Sequence, residues 1–188
     1  MAHGPRERLI EGAIELVREQ GVHGAGLAEL LARTNTSRNS LYQHFPAGKG
    51  ELVETATLVA GKRMSDYIDR ITATGTPQDW VSALVRWAER LVESGDFAAG
   101  CPVAGAALAE SEPAVQAAAA RVFEDWTVRL TGALEGAGIS AVRARPLAGF
   151  LVSTVEGSIL VARATKTSRP LAEAEENLLA LLAAELRR

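Results

Sequence analysis

Apolar residues near the start of the chain recur at the three- and four-residue spacing of an amphipathic helix. Leu9, Ile10, Ala13 and Val17 fall on one helical face, so the pattern predicts a first helix from about residue 5 to residue 20. Gly21 follows at once, where helices often end on a left-handed residue. The first element is therefore predicted to be a helix with one buried face.

Two further short helices are predicted, with a polar turn between them. A leucine-rich segment at residues 27–31 marks the second helix, and Ser37 is a good N-cap for a third helix that ends near His44. The turn at residues 34–36 contains Asn35, a residue type that tolerates a positive φ. Two short helices joined by such a turn form the helix-turn-helix pattern.

Six more helices follow in the pattern. The fifth helix begins at about residue 77 and ends before a loop at residues 95–100. The other five are placed at residues 49–72, 102–110, 113–136, 140–165 and 170–186. Thr76 and Asp79 suit the start of the fifth helix, and Pro146 is expected to kink or shift the start of the eighth. No segment alternates with a period of two, so we predict an all-α protein of about nine helices.

Charge confines any contact with nucleic acid to one end of the chain. The 188 residues carry a net charge of −3, so the whole molecule is no general polyanion binder. The first fifty residues nevertheless hold six basic and five acidic side chains, and residues 30–50 contain no Asp or Glu. A polyanion is therefore expected to bind near the third helix.

The third helix has the chemistry that such a contact needs. Leu41 and Phe45, four residues apart, are expected to point inward. The outward positions all carry side chains that can donate hydrogen bonds, namely Arg38, Asn39, Ser40, Gln43 and His44. This surface is suited to phosphate oxygens and to base edges.

Other classes of function find little support in the sequence. No apolar run approaches the roughly twenty residues of a membrane span, and the first residues lack a signal-peptide pattern, so we expect a cytoplasmic protein with no membrane partner. Three scattered histidines and one cysteine form neither a catalytic set nor metal-ligand spacing. We therefore expect no enzyme, no cofactor and no metal site.

Two segments resemble a known family. The helix order together with SLYQHFPAGKGELV at residues 40–53 resembles the TetR family of bacterial transcription regulators. The extra residue in its Phe-Pro-x-Gly-Lys loop is similar to the LmrA/YxaF-like subgroup, and GCPVAGAALAE at residues 100–110 resembles the C-terminal domain of that subgroup. The resemblance implies a helix-turn-helix DNA-binding domain at residues 1–50 and a helical effector-binding and dimerisation domain at residues 51–188. It also implies a bacterial protein that is nucleoid-associated when bound to DNA.

The resemblance also implies which residues contact DNA. Tyr42, Ser37 and Lys49 would bind phosphates, whereas Arg38, Asn39, Ser40 and Gln43 would face base edges in the major groove. The complete set expected at the DNA is Thr36, Ser37, Arg38, Asn39, Ser40, Tyr42, Gln43, His44 and Lys49.

Four residues at three places depart from the family pattern. Ala25 and Gly26 stand where the second helix usually begins with a Thr or Ser, so a phosphate contact there is lost or comes from the backbone alone. Asn35 replaces the usual glycine of the turn, and Leu31 replaces a buried alanine. These departures leave open a helical interaction module that no longer binds DNA.

The later helices are expected to hold a small effector. Aromatic and thioether side chains are ordinary core residues one by one, but as a group they suit a ligand cavity between helices. The expected lining is Met64, Tyr67, Trp87, Cys101, Phe123, Trp126 and Phe150. The ligand would be mainly apolar or aromatic. Cys101 could instead act as a redox sensor, although a lone cysteine among apolar neighbours is more often a small buried residue.

The last two helices are the expected homodimer interface. Their apolar residues form intrachain core in the simplest interpretation, whereas the family resemblance implies a four-helix bundle across a two-fold axis. The expected residues are Leu147, Leu151, Thr154, Ser158, Ala162, Leu171, Ala174, Leu178, Leu181 and Leu182. Gly149 and Gly157 would allow close helix approach. We thus expect a ligand-responsive homodimer that binds a palindromic operator and represses transcription. The alternative is a DNA-binding dimer without an effector.

Overall fold

The computed structural model describes residues 4–187, and this part of the chain contains nine α-helices and no β-strand. The helices are α1 (Pro5–Gly24), α2 (Leu27–Thr34), α3 (Arg38–His44), α4 (Lys49–Thr72), α5 (Pro77–Glu93), α6 (Pro102–Ala107), α7 (Pro113–Gly136), α8 (Ala141–Thr165) and α9 (Arg169–Glu185). The predicted all-α fold with an N-terminal helix-turn-helix is confirmed.

Local capping signals explain why the helix boundaries were predictable. The Ser37 hydroxyl accepts a hydrogen bond from the Ser40 amide at 3.1 Å, which caps α3. Asn35 adopts a left-handed conformation with φ of 47° after α2. Thr76 and Asp79 form a capping box at the start of α5. Hydrogen bonds from Thr76 lower the pKa of the Asp79 carboxyl below its ordinary value.

Two helix ends and the effect of one proline differ from the sequence expectation. Helical backbone conformation resumes after Gly21, whose φ of 70° and ψ of 177° interrupt α1, so this helix ends at Gly24. Helix α6 ends at Ala107 rather than near residue 110. Helix α8 runs from Ala141 straight through Pro146, so this proline does not shift its start. It lies in the second turn of the helix, where its missing N–H removes one backbone hydrogen bond.

The chain forms two compact units. Unit 1 comprises the chain up to Lys62 together with Cys101–Val122, and unit 2 comprises Arg63–Gly100 together with the chain from Phe123 onward. The boundaries therefore fall inside α4 and α7. The functional domain boundary at residue 50 remains a prediction, because compact packing units need not coincide with functional domains.

In unit 1, α1 is the central element. It packs against α2, α3 and α6. Its buried residues Leu9 and Leu16 share the unit's core with Leu41, Phe45 and Leu52. Removing these side chains from water is the main favourable contribution to the stability of the unit. The helix-turn-helix therefore rests on a rigid base.

In unit 2, helices α5, α8 and α9 pack against one another. Val85 and Val92 of α5 are fully buried, as are Leu171 and Leu182 of α9. Arg143 at the start of α8 donates hydrogen bonds to the carboxylate of Glu185 at the end of α9, at 3.1 and 2.5 Å. The ion pair compensates for the burial of that carboxylate.

Helix α8 is unusually apolar. It is long and apolar enough to cross a membrane by length and composition, with a mean hydropathy of 1.4 over an 18-residue window. The expectation that no apolar run reaches this length was wrong. In the structure α8 packs against α5 and α9 within unit 2, and 39% of that window is buried. The helix thus has an inner face and an apolar outer face.

Candidate nucleic-acid interface and helical cavity

The apolar residues of α3 anchor this helix in the core of unit 1. Leu41 and Phe45 are buried, as the spacing predicted. The guanidinium of Arg6 lies 5.4 Å from the centre of the Phe45 ring, within the range of a cation–π contact. Arg6 brings a further cation to the end of α3. Local sequence patterns gave no signal for this contact, because 39 residues separate Arg6 from Phe45.

The turn between α2 and α3 is held by α1. Arg8 donates to the carbonyl oxygens of Thr34 and Asn35, at 3.1 and 3.5 Å. A Cβ atom at Gly12 would lie 2.3 Å from Cγ2 of Thr34, so only glycine permits this approach of α1 to the end of α2. The Thr34 and Thr36 hydroxyls share a hydrogen bond of 2.7 Å. The orientation of α3 relative to α1 is therefore well determined.

The outer face of α3 carries exposed donors. Arg38, Asn39, Gln43 and His44 are exposed. Within residues 4–187, no intramolecular hydrogen bond or ion pair engages these four side chains. The hydroxyl of Ser37 accepts from the Ser40 amide, which leaves its own proton available for donation. One face of α3 thus carries a row of exposed hydrogen-bond donors, whereas its opposite face is buried.

The arginines of this region fall into two kinds. Arg33 donates to both oxygens of Glu19 at 2.9 Å and to Glu29 at 3.1 Å. The hydrogen bonds from Arg33 lower the pKa of the Glu19 carboxyl. Arg38, in contrast, forms no ion pair within the described chain. The positive charge of Arg38 is therefore available to an anion, whereas that of Arg33 is neutralised internally.

The loop before α4 orients Lys49 and Tyr42. The ammonium of Lys49 donates to the carbonyl oxygen of Val22 at 2.8 Å, which leaves two of its three protons for other acceptors. Gly48 has a φ of 83°, and its backbone lies against the Tyr42 ring. Glu51 accepts from the Ala47 amide at 2.8 Å. Tyr42 is 47% exposed, so its hydroxyl is accessible to a phosphate.

The start of α2 lacks a capping side chain. Gly26 is the N-cap residue and provides no side-chain hydrogen bond to the first amides of the helix. A phosphate that approaches this helix end would therefore contact backbone N–H groups alone. This geometry is what the sequence departure at Gly26 leads one to expect.

Unit 2 contains an apolar cavity between its helices. It is lined by Met64, Ile68, Leu84, Trp87, Trp126, Leu130, Leu151, Val152, Val155 and Glu156. The space open to the centres of water molecules is only about 30 Å³, enough for about two waters. An aromatic ligand would have to spread the surrounding helices.

A more spacious groove shares part of the cavity wall. It is lined by Phe123, Thr127, Gly149, Val152, Ser153 and Glu156, and the corresponding space is about 340 Å³. Val152 and Glu156 belong to both linings. None of the described residues that line the cavity or the groove is basic.

The expected ligand residues do not all meet at this place. Met64, Trp87 and Trp126 line the cavity, and Phe123 lines the groove. The Tyr67 hydroxyl instead donates to the carbonyl oxygen of Ala83 at 2.9 Å. The Tyr67 side chain is thus not part of either wall.

Two further residues of the expected ligand set lie elsewhere. Phe150 is 52% exposed and belongs to neither lining, because it sits on the outer face of α8. Cys101 is buried in unit 1, where it is the N-cap of α6. Its role as a redox sensor remains without supporting geometry. Among residues 4–187, no group of three or more His, Cys, Asp or Glu side chains could hold a metal ion.

Glu156 lines this region but was not among the residues predicted for it. Between Arg145 and Arg163 it is the one charged residue of α8. A charge within such an apolar segment is costly unless it faces water, a partner or a ligand. A single charged residue within this apolar segment could therefore have identified Glu156 from the sequence.

The residues expected at the dimer interface mostly face inward. Leu147, Leu151, Ala162, Leu171, Ala174, Leu178 and Leu182 are buried within the single chain, and Thr154, Ser158 and Leu181 are half-buried. The seven buried residues therefore belong to the core of unit 2. The inner face of α8 was mistaken for the outer one, because both faces are apolar.

The outer face of α8 carries a different set of residues. It consists of Phe150, Ser153, Gly157, Leu160, Val161 and Ala164, all exposed, and we call it the outer stripe. Leu160 is 66% exposed. A Cβ atom built at Gly149 or Gly157 would meet no atom within 4 Å. No other helix of the described chain therefore approaches α8 closely at these two glycines.

Two family models match this chain. Residues 9–56 match the model of bacterial regulatory proteins of the tetR family, and residues 77–177 match the C-terminal domain of LmrA/YxaF-like transcriptional regulators.

Relatives match over nearly the whole length. An uncharacterized HTH-type transcriptional regulator of Mycobacterium tuberculosis H37Rv, Rv0196, is 34% identical, with 97% of this chain and 96% of the relative covered. The HTH-type transcriptional regulator LmrA of Bacillus subtilis is 28% identical, with 91% of this chain and 93% of the relative covered.

Solved structures show the same fold. A TetR transcriptional regulator from Legionella pneumophila superposes with a TM-score of 0.86 at 19% identity, and covers 94% of this chain and 96% of its own. The regulatory protein TetR from Rhodobacter sphaeroides superposes with a TM-score of 0.82 at 22% identity, over 93% and 96% of the two chains.

Proposed function

Because the chain belongs to the TetR family of bacterial transcription regulators, and to its LmrA/YxaF-like branch, we propose that it acts as a homodimeric repressor. It is a transcription regulator and not an enzyme. In the proposal, the dimer binds a palindromic operator and is released by a small, mainly apolar or aromatic effector. The protein works in the bacterial cytoplasm.

The donor row of α3 is the observation that carries the DNA-binding part of the proposal. Arg38, Asn39 and Gln43 are exposed on a helix whose other face is buried. Arginine suits guanine, and Asn or Gln suits adenine, in the major groove. Residues 30–50 contain no acidic side chain that would repel the phosphates. These features support sequence reading by α3, with Tyr42 and Lys49 on the phosphates.

The outer stripe of α8 supports the homodimer. Exposed apolar residues that recur along a helix are costly in water unless another surface covers them. A second copy would place the same stripe against itself across a two-fold axis. Two copies of α3 could then reach successive major grooves, roughly 34 Å apart. A dimer would thus carry one copy of α3 for each half-site of a palindromic operator.

The cavity in unit 2 supports a response to a ligand. It is too small in this structure for an aromatic molecule, so binding requires a conformation in which Met64 and its neighbours move apart. Helix α4 carries Met64 and also begins at Lys49. A ligand that favours the expanded conformation lowers operator affinity only by its preference for that conformation.

Replacing Lys49 by alanine tests the proposed phosphate contact. We expect Lys49→Ala to weaken binding to the protein's own upstream DNA and to random DNA by the same factor. The plot of log affinity against log salt should also become shallower by about one unit, because one phosphate contact is lost. Fluorescence anisotropy across a salt series measures both quantities.

Lys62→Ala is the matched control, since this exposed lysine lies on the same helix and carries the same charge. Thermal unfolding of both variants separates a lost phosphate contact from the loss of the bond to Val22. A Lys49→Ala protein with the wild-type salt slope and affinity would remove Lys49 from the interface.

A further inference from the structure

Arg6 lies in the first turn of α1, where a positive charge does not favour the helix. The N-terminal end of a helix carries a partial positive charge, so acidic side chains stabilise it and basic ones oppose it. Glu7, at the next position, follows this rule and accepts a hydrogen bond from the Gly4 amide at 3.2 Å. The stability of α1 therefore gives no reason for an arginine at position 6.

Other arginines of unit 1 have internal partners for their charge or their donors. Arg8 donates to carbonyl oxygens of the turn between α2 and α3, and Arg33 forms an ion pair with Glu19. The exposed guanidinium of Arg6 instead lies 5.4 Å from the centre of the Phe45 ring. Within residues 4–187, no hydrogen bond or ion pair engages the Arg6 side chain. Its charge is therefore available to an anion from outside the chain.

The Phe45 ring holds this charge at the end of α3. Phe45 is the C-cap residue of α3 and is only 1% exposed, so its ring belongs to the core of unit 1. A cation–π contact positions the guanidinium without neutralising its charge, and the N–H groups remain able to donate. The neighbouring side chains of Gln43 and His44 are exposed. Arg6 thus adds a donor from α1 next to the donors of α3.

A phosphate is the anion that suits this position. Residues 30–50 contain no Asp or Glu, so no side chain of this segment repels a negative group at the end of α3. The acid that follows, Glu51, accepts a hydrogen bond from the Ala47 amide at 2.8 Å. The planar guanidinium can donate two parallel hydrogen bonds to one phosphate group. The surrounding donors are those that the proposed function assigns to DNA.

We propose that Arg6 binds a phosphate of the DNA backbone, as a contact from α1 beside those of α3 and the start of α4. This inference rests on the proposed function, because it adds a residue to the same DNA-binding surface. Phe45 is then the positioning residue for the Arg6 guanidinium. The contact does not depend on the base sequence, since the phosphate groups are the same at every step of the duplex.

Two substitutions separate the charge of Arg6 from its packing on the ring. Arg6→Gln removes the charge and keeps part of the side-chain stem, whereas Arg6→Lys keeps the charge. Fluorescence anisotropy across a salt series measures affinity for the protein's own upstream DNA and for a random duplex. For Arg6→Gln we expect the plot of log affinity against log salt to become shallower by about one unit for each bound chain, on both duplexes. With plots that meet near 1 M salt, this change is a roughly eightfold loss of affinity for each bound chain at about 0.1 M. Arg6→Lys should keep the wild-type slope.

Arg70→Gln is the matched control. The exposed guanidinium of Arg70 lies 5.3 Å from the centre of the Tyr67 ring, on the part of α4 that belongs to unit 2. The substitution removes the same charge from the same kind of ring contact. We expect this variant to bind both duplexes with the wild-type affinity and salt slope.

A wild-type salt slope in Arg6→Gln would overturn the inference. An equal change of slope in Arg6→Lys would also overturn it, because the ring contact and not the charge would then be responsible. An equal change in Arg70→Gln would assign the effect to net charge alone and would contradict the inference as well. A wild-type protein that binds neither duplex would contradict the proposed function, and the Arg6 contact with it. Wild-type binding together with an unchanged Arg6→Gln leaves the proposed function in place and removes only Arg6 from the interface.

Discussion

Leu160→Glu is expected to convert the protein from a dimer into a monomer at micromolar concentration. In a two-fold interface each substitution occurs twice, so two carboxylates would be brought together on the outer stripe of α8. At about 2 kcal/mol for each central interface residue, the loss is about 4 kcal/mol, or roughly a thousandfold in the dimer dissociation constant. Sedimentation velocity over a concentration series measures this constant directly.

The loss of the dimer should also remove operator binding. A single α3 contacts one half-site, and the gain from simultaneous binding of two half-sites is lost with the partner. We therefore expect the affinity for operator DNA to fall at least about a hundredfold at nanomolar protein concentration. The folded monomer should keep its helical circular dichroism, because Leu160 is 66% exposed within the chain.

Val128→Glu is the matched control for the dimer. Val128 is an exposed valine on α7, outside the outer stripe, and the substitution adds the same charge. We expect it to leave both the dimer and operator binding unchanged. A Leu160→Glu protein that sediments as the wild-type dimer would show that the outer stripe of α8 is not the interface.

Arg38→Ala is expected to weaken specific DNA binding by about 1–3 kcal/mol, or roughly 5- to 150-fold, if the guanidinium contacts a guanine. Affinity for random DNA should fall much less, because base contacts contribute to specific complexes alone. Competitive anisotropy measurements with specific and random duplexes give the specificity ratio of the variant.

Arg33→Ala provides the control, since it removes the same charge from the same acid-free segment. The guanidinium of Arg33 is already bound by Glu19 and Glu29, and exposed ion pairs of this kind contribute little to stability. We expect its specificity ratio to remain that of the wild type. An equal loss of affinity on specific and random DNA for Arg38→Ala would refute its base-reading role.

Local signals made most of the helices predictable. Ser37, Asn35 and Thr76 determine helix ends through hydrogen bonds and backbone conformations that involve only a few neighbouring residues. The inward positions of Leu41 and Phe45 also follow from spacing along one helix. The buried base of α3 could therefore be predicted from the sequence, whereas its role in binding DNA remains a proposal.

Long-range packing was not predictable in the same way. Helix α8 is apolar on both faces, so the spacing of its apolar residues does not show which face is buried. For this reason Leu147 and Leu151 were assigned to the interface, although they are core residues. Phe150 was assigned to the cavity, although it is exposed. The choice of face depends on how α5 and α9 pack against α8, and the residue pattern of α8 alone does not contain this information.

The position of Glu156 shows the same limit. Aromatic character alone pointed to Trp87 and Trp126, and these two residues do line one cavity. A single carboxylate within an apolar segment was overlooked, since its position relative to the aromatic rings depends on the packing of α4, α5, α7 and α8. Its isolation among uncharged neighbours is nevertheless visible in the sequence.

Selection from a pool of random-sequence duplexes by the wild-type protein tests the proposed regulatory function most directly. We predict enrichment of a single motif with two inverted half-sites, whose centres lie roughly 34 Å or a multiple of that distance apart along the DNA. The complex on that motif should contain two protein chains. Recovery of duplexes without a shared motif, or of a single half-site bound by one chain, would contradict a two-fold DNA reader.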